Sequence, residues 1–166
     1  MNISKQIVGY LKSRALVLAS VETCTAGHIA AVLADVPGAV DCLDIGLVVH
    51  ALSANADLPG VRAGTIEQCG LVSDTVAREL AEGVLAQRAG HASVVVVSLG
   101  LPVATDDAAM PVVQCLAWAC VHREQTCSAG ETVLLRGSRN EIRRSVARRA
   151  LLGVPRFVDA VLSGTE

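Results

Sequence analysis

Apolar residues near the start of the chain recur at helical spacing. Ile7, Val8 and Leu11 fall on one stripe of residues 3–14, which predicts an amphipathic helix. Residues 15–20 form a short apolar run that reads as a buried strand, and the polar stretch 22–27 reads as a turn. A second helical stretch covers 28–33 and runs down to Asp35, before Pro37-Gly38 punctuates the chain. Residues 42–52 are a second strand candidate, followed by a loop over 53–64 that contains Pro59-Gly60.

Further along, Thr65 with Gln68 fits a capping box and predicts a helical turn ending near Gly70. Ser73 predicts the cap of a longer helix over 74–88, with Val76, Leu80, Val84 and Leu85 facing inward and Asp74 in the first turn, where the helix dipole favours an anion. The run Val94-Val95-Val96-Val97, within 92–99, suits a strand covered on both faces. Residues 100–109 read as a loop. Residues 111–123 and 132–136 read as two strands joined by a turn near Ser128-Ala129-Gly130. Ser138 with Glu141 is a second capping box, opening a last helix over 139–152 that Val154-Pro155 is expected to interrupt, with a short tail helix over 158–162. Alternating helices and strands with a late hairpin predict an α/β fold, a three-layer α/β/α sandwich with a mixed, mostly parallel sheet. The whole chain, 1–166, reads as a single domain.

Composition narrows the function. With 52% hydrophobic and 18% charged residues the chain is no disordered segment. Its aromatic residues are Tyr10, Trp118 and Phe157, too few for a base-stacking surface, so no nucleic-acid partner is expected. The net charge of −2 gives no membrane or nucleic-acid field. No apolar run approaches the roughly 20 residues of a membrane span, and residues 1–14 lack the apolar stretch of a secretory signal. A cytoplasmic protein is the expectation. The six cysteines are then expected reduced and to act as small buried hydrophobes. Cys120 and His122 share a strand face, but two candidates do not make a zinc site. Asp106-Asp107 reads as a solvated loop pair, so no metal is expected. The apolar-rich composition suits a homo-oligomer.

Four ordered segments carry a resemblance. They are Val21-Glu22-Thr23-Cys24-Thr25-Ala26-Gly27, Ala34-Asp35-Val36-Pro37-Gly38-Ala39, the stretch 69–83 beginning Cys69-Gly70-Leu71-Val72-Ser73-Asp74, and Gly137-Ser138-Arg139 with Ile142-Arg143-Arg144. Together they resemble the CinA C-terminal domain family of competence/damage-inducible proteins, many of which are nicotinamide mononucleotide amidohydrolases. The resemblance implies the CinA-like α/β/α fold, a small-molecule nucleotide as partner, and no cofactor. It also exposes departures. The position of the family's serine nucleophile is Thr23, its tyrosine position is Ala51, its lysine position is Ala56, and its glycine-rich loop is shortened to Gly100-Leu101-Pro102. The chain's lysines are Lys5 and Lys12, both in the first helix.

Amide hydrolysis by a hydroxyl needs an exposed nucleophile, a base and oxyanion donors. Glu22, Cys24, Thr25, Ala26, Gly27 and Gly100 are the expected substrate-binding residues, with the N–H groups of Thr25, Ala26 and Gly27 as donors. The catalytic candidates are Thr23 and, as a replacement base, His50. Cys24 at a helix start is an alternative nucleophile, though the family motif carries a cysteine there beside its serine, so its presence needs no catalytic explanation. Glu22 either orients a substrate or bonds nearby backbone. His28 reads as a surface or packing residue. The arginines 136, 139, 143, 144, 148 and 149 read as a solvated face or subunit contact. Two functions follow from these residues. One is a degenerate, inactive or weakly active nucleotide-binding relative; the other is an amidohydrolase rewired around Thr23 and His50.

Overall fold

The computed structural model describes residues 2–51, 57–102, 107 and 109–164. Five strands form one sheet. They are β1 (Leu18–Glu22), β2 (Leu43–Val48), β3 (Val94–Leu99), β4 (Val112–His122) and β5 (Gln125–Leu135), in the order β2-β1-β3-β4-β5. β1 pairs parallel with β2 and with β3, while β4 is antiparallel to β3 and to β5. The sheet is therefore mixed, and every strand except β4 points the same way. Helices α1 (Ile3–Ser13), α2 (His28–Ala34) and α5 (Arg139–Ser163) cover one face; α3 (Ala63–Cys69) and α4 (Asp74–Gln87) cover the other.

The central strands separate two cores. Val94 and Val96 of β3 turn toward α5, whereas Val95 and Val97 turn toward α4. That is why β1 and β3 are buried at every position: each face meets a helix layer. Trp118 of β4 fills the α5 side. Its indole N–H donates to the Ala150 carbonyl at 2.9 Å, and Gly153 makes room for the ring, since a Cβ there would lie 2.1 Å from Cζ2. On the opposite face Gly83 of α4 meets the Pro59-Gly60 turn, where a Cβ would fall 2.5 Å from the Pro59 carbonyl oxygen.

Several local expectations change. β1 begins at Leu18 and includes Glu22, because Ala15 has a left-handed backbone (φ 53°) that delays the strand. β2 is shorter than expected. The box at Thr65 is not the start of α3. Arg62 caps that helix, and the Thr65 hydroxyl instead donates to Glu79 Oε1 at 2.8 Å. The hairpin turn is not at residues 128–130, which lie inside β5. It is at Arg123-Glu124, both left-handed (φ 50° and 64°), the backbone that a two-residue hairpin loop requires. Gly130 serves the strand differently: a Cβ there would sit 1.8 Å from Asp74 Oδ1.

Pro155 does not end the last helix. α5 continues through it to Ser163. Val146, Ala150 and Val154 before the proline, and Phe157, Val158 and Val161 after it, are buried on one stripe against the same core. That shared burial outweighs the roughly 3 kcal/mol penalty of an interior proline. The box at Ser138 does form, with Glu141 N–H donating to Ser138 Oγ at 3.3 Å and Ser138 N–H to Glu141 Oε2 at 2.7 Å. Among the described residues no helix is long and apolar enough to cross a membrane.

Candidate functional site

After β1 the chain crosses to β2 on one side of it; after β2 it returns to β3 on the other. Ligands of open α/β sheets bind at such a reversal, beyond the carboxyl ends of the strands. Residues 22–27, following β1, and 98–102, at the end of β3, meet there. The first of these segments is a tight turn. Ala26 (φ 53°) and Gly27 (φ 90°) are both left-handed, and the Ala26 N–H donates to the Thr23 carbonyl at 3.1 Å.

Most polar groups of the turn are satisfied within the fold. Glu22 is fully buried, and its carboxylate accepts from the Ile29 and Ala30 N–H groups at 2.8 and 3.1 Å. It thus takes the first-turn donors of α2, where an anion is favoured. Thr23 is 1% exposed. Its hydroxyl accepts from Gly100 N–H at 2.8 Å and lies 2.7 Å from the Gly100 carbonyl and 3.1 Å from that of Ser98, which share its single proton. Thr25, also buried, bonds its hydroxyl to that of Ser98 at 2.8 Å. Gly100 leaves room for the Gln114 amide, since a Cβ would lie 1.9 Å from its Oε1.

Above this layer is a cavity of about 320 Å³, lined by Cys24, His50, Pro102, Arg139, Ile142 and Arg143. Cys24 forms its floor and donates from Sγ to Gln114 Oε1 at 2.9 Å. Burial pushes the Cys24 thiol up to about 11, against the opposing pull of Arg143 and with a further push from Glu22. The thiol is therefore protonated at neutral pH and is not an activated nucleophile. Arg143 Nε and Gln114 Nε2 are buried with no hydrogen-bond partner among the described residues. The walls present two guanidinium groups and an exposed imidazole, a donor-rich surface that suits an acceptor-rich, anionic ligand.

The structure thus brings Cys24 and His50 to one cavity, while Thr23, Thr25 and Gly100 are not among its lining residues. Among the described residues, the partners of the Thr23 hydroxyl are backbone groups of Ser98 and Gly100, not His50. Ala51 is exposed; Ala56 and Asp106 lie outside the described residues. Asp107 accepts from Ala109 N–H at 3.0 Å. His28, half-buried, opens α2. Of the basic run, Arg149 bonds Glu131, as does Arg156 beyond it, and Arg136 donates to the Ala109 carbonyl, while Arg139 and Arg143 reach the cavity. Sequence reasoning missed Gln114 and the cavity role of Arg139 and Arg143. A lone amide inside the apolar run 112–121 was the available signal for Gln114, since a buried polar group requires a partner.

The fold agrees with what comparison finds. The family model described as the CinA C-terminal domain matches residues 1–158. The chain belongs to that family. Within it, a CinA-like protein of Akkermansia muciniphila is 31% identical over 92% of this chain and 36% of its own length. The nicotinamide-nucleotide amidohydrolase PncC of Escherichia coli K12 is 38% identical over 55% of this chain and 56% of its own. This chain spans between 20% and 36% of the length of the CinA-like relatives it matches. Among solved structures, the competence or damage-inducible protein of Enterobacter asburiae superposes with a TM-score of 0.76 at 25% identity, covering 92% of this chain and 93% of that one. The Agrobacterium tumefaciens competence/damage-inducible protein gives 0.74 at 27%, covering 92% and 91%. The CinA fold is thus a property of this chain, and an amidohydrolase is among the relatives it resembles.

Proposed function

We propose that this CinA-family member binds a nucleotide-like anion in the cavity over Cys24 and hydrolyses amides weakly or not at all. The observation that carries the reading is the Thr23 hydroxyl, 1% exposed and engaged with Gly100 on both its donor and acceptor sides. A nucleophile must expose its oxygen to the substrate and pass its proton to a base. Thr23 does neither where it stands. Turning it out would leave the Gly100 N–H buried without a partner, at about 1–3 kcal/mol. The position of the family's lysine is Ala56, and Lys5 and Lys12 both sit in the first helix, so general-base help worth ~10²–10⁴-fold has no amine to supply it at that position. The donor-rich walls support retention of an anionic ligand.

The competing reading is an amidohydrolase built on Thr23 and His50, favoured by the presence of His50 in the cavity wall. A calorimetric titration with nicotinamide mononucleotide, run beside an ammonia-release assay, separates the two. Binding without ammonia is the expected result. Ammonia release abolished by His50→Ala and by Thr23→Ala would overturn the proposal. Absence of both binding and release would refute the nucleotide ligand.

A further inference from the structure

The β4–β5 hairpin sets Cys120 directly opposite Cys127. Its register is unbroken from Val112↔Leu135 to His122↔Gln125, so opposed residues leave the sheet on the same face. For this pair that face is the α5 side: Cys120 belongs to the buried core there, and Cys127 packs against it. Both are thiols; Cys120 is 6% exposed and Cys127 half-buried.

The spacing follows from the turn. The two-residue loop Arg123-Glu124 closes on His122 and Gln125 as a hydrogen-bonded pair. Pair types alternate along an antiparallel ladder, so Cys120 and Cys127 are again a hydrogen-bonded pair, with Cα atoms about 5.5 Å apart. Disulfides bridge Cα separations of roughly 4.4–6.8 Å. Opposed Cβ atoms stand about 4.5–5.5 Å apart, at or above the ~3.5–4.5 Å of a relaxed disulfide. A bond here must draw the strands together. Such strained bonds are readily reduced, which is the property of regulatory rather than structural disulfides.

We propose that Cys120 and Cys127 form a reversible oxidation site, closed into a cross-strand disulfide by a peroxide-class oxidant. The more accessible Cys127 thiolate attacks the peroxide oxygen, the O–O bond breaks, and sulfenic acid forms with loss of one water. The Cys120 sulfur then attacks the Cys127 sulfur, the S–O bond breaks, and a second water leaves with the Cys120 proton. Two thiols are oxidised and one peroxide is reduced to two waters. A low-molecular-weight thiol reverses the bond by exchange. The pair lies at the end of β4 away from Gln114 and the cavity, so the site is independent of any nucleotide chemistry.

The test uses the intact, fully reduced chain. It is treated with hydrogen peroxide, alkylated, and digested without reductant by trypsin and chymotrypsin. Cleavage after Trp118 and Arg123 isolates residues 119–123, whose one thiol is Cys120, from the peptide that carries Cys127. The expected result is a single linked species, lighter than the two peptides by two hydrogen atoms and parted by dithiothreitol. Cys120→Ser should instead leave Cys127 as a sulfenic acid that dimedone labels. Cys127→Ser, at the half-buried position, should abolish the linked species while Cys120 stays a thiol. The proposal is overturned if the wild-type peptides emerge unlinked, if Cys127 is found joined to Cys69 or to another chain, or if Cys69 oxidises while both hairpin thiols persist.

Discussion

Replacing Gly153 with alanine adds a methyl group where the Trp118 ring already lies. The new Cβ would stand 2.1 Å from Cζ2, 2.4 Å from Cε2 and 2.9 Å from Nε1. Non-bonded carbons prefer about 3.5–4.0 Å, so ring and helix must part by roughly 1.4 Å or more. The ring has little freedom to retreat. Its N–H is held at 2.9 Å by the Ala150 carbonyl, and the Arg156 guanidinium covers it at 5.7 Å from a ring centroid. Overpacking of this kind costs about 1–3 kcal/mol, and loss of the indole hydrogen bond would add about 1–3 kcal/mol. Against this stands the helix preference for alanine, about 1 kcal/mol. The expected net loss is about 1–5 kcal/mol, or roughly 2–20 °C in Tm for a chain of this size. Gly9 is the internal control. It sits in the interior of α1, exposed, with nothing within 4 Å of its missing Cβ. Gly9→Ala should stabilise by about 0.4–1 kcal/mol. Thermal and guanidinium denaturation followed by far-ultraviolet circular dichroism measures both variants. If Gly153→Ala is as stable as Gly9→Ala, the packing argument fails.

Three further outcomes follow from the site and its surroundings. Thr23→Val keeps the shape of the side chain but strands the buried Gly100 N–H; stability should fall by about 1–3 kcal/mol in denaturant titration, with ammonia release unchanged from wild type. Cys24, with its thiol pushed up to about 11 by burial, should resist iodoacetamide at pH 8 and gain reactivity only as pH approaches that value; Arg143→Gln removes a charge that favours the thiolate and should raise the midpoint further. A midpoint near 8.5 in the folded wild type would contradict this. The hydrogen bonds from Arg88 to Asp44, at 2.7 Å from both Nε and Nη2, hold the Asp44 carboxyl below its usual range. Its folded pKa is thus depressed, so the pair stabilises fully above the unfolded value near pH 4 and loses its contribution as pH falls through the lowered one. Asp44→Asn should flatten that part of the acid limb in a pH series of melting temperatures.

The layers and the family were legible because they rest on local signals. The doubly buried valine run, the apolar stripe of α4 and the serine caps at 73 and 138 each act within a few residues. What escaped was set by distant partners or by unusual backbone. The turn of the last hairpin uses two left-handed residues that are neither glycine nor asparagine, so its chemistry is silent in sequence. Pro155 carries a helix-ending signal that the core on both sides of it overrides. At the site, Thr23 is a catalytic candidate by its place in the family motif, and that motif says nothing of its hydrogen-bond partners. Its actual partner, Gly100, is 77 positions away, and the floor of the cavity depends on Gln114, 90 positions from Cys24. Residue type announced a hydroxyl; only the meeting of β1 with β3 assigned its proton.

The seating of Trp118 makes this protein its own optical reporter. It is the sole tryptophan of the chain, 3% exposed, and it lies only in the core beneath α5. Emission excited at the indole band therefore reads one side of the sheet, blue-shifted while the ring stays dry and red-shifted once α5 lifts away. Far-ultraviolet dichroism reads both sides together. Coincident melting curves would mean that the two helix layers let go as one unit, and a lagging or leading fluorescence curve would show which side of the sheet unzips first.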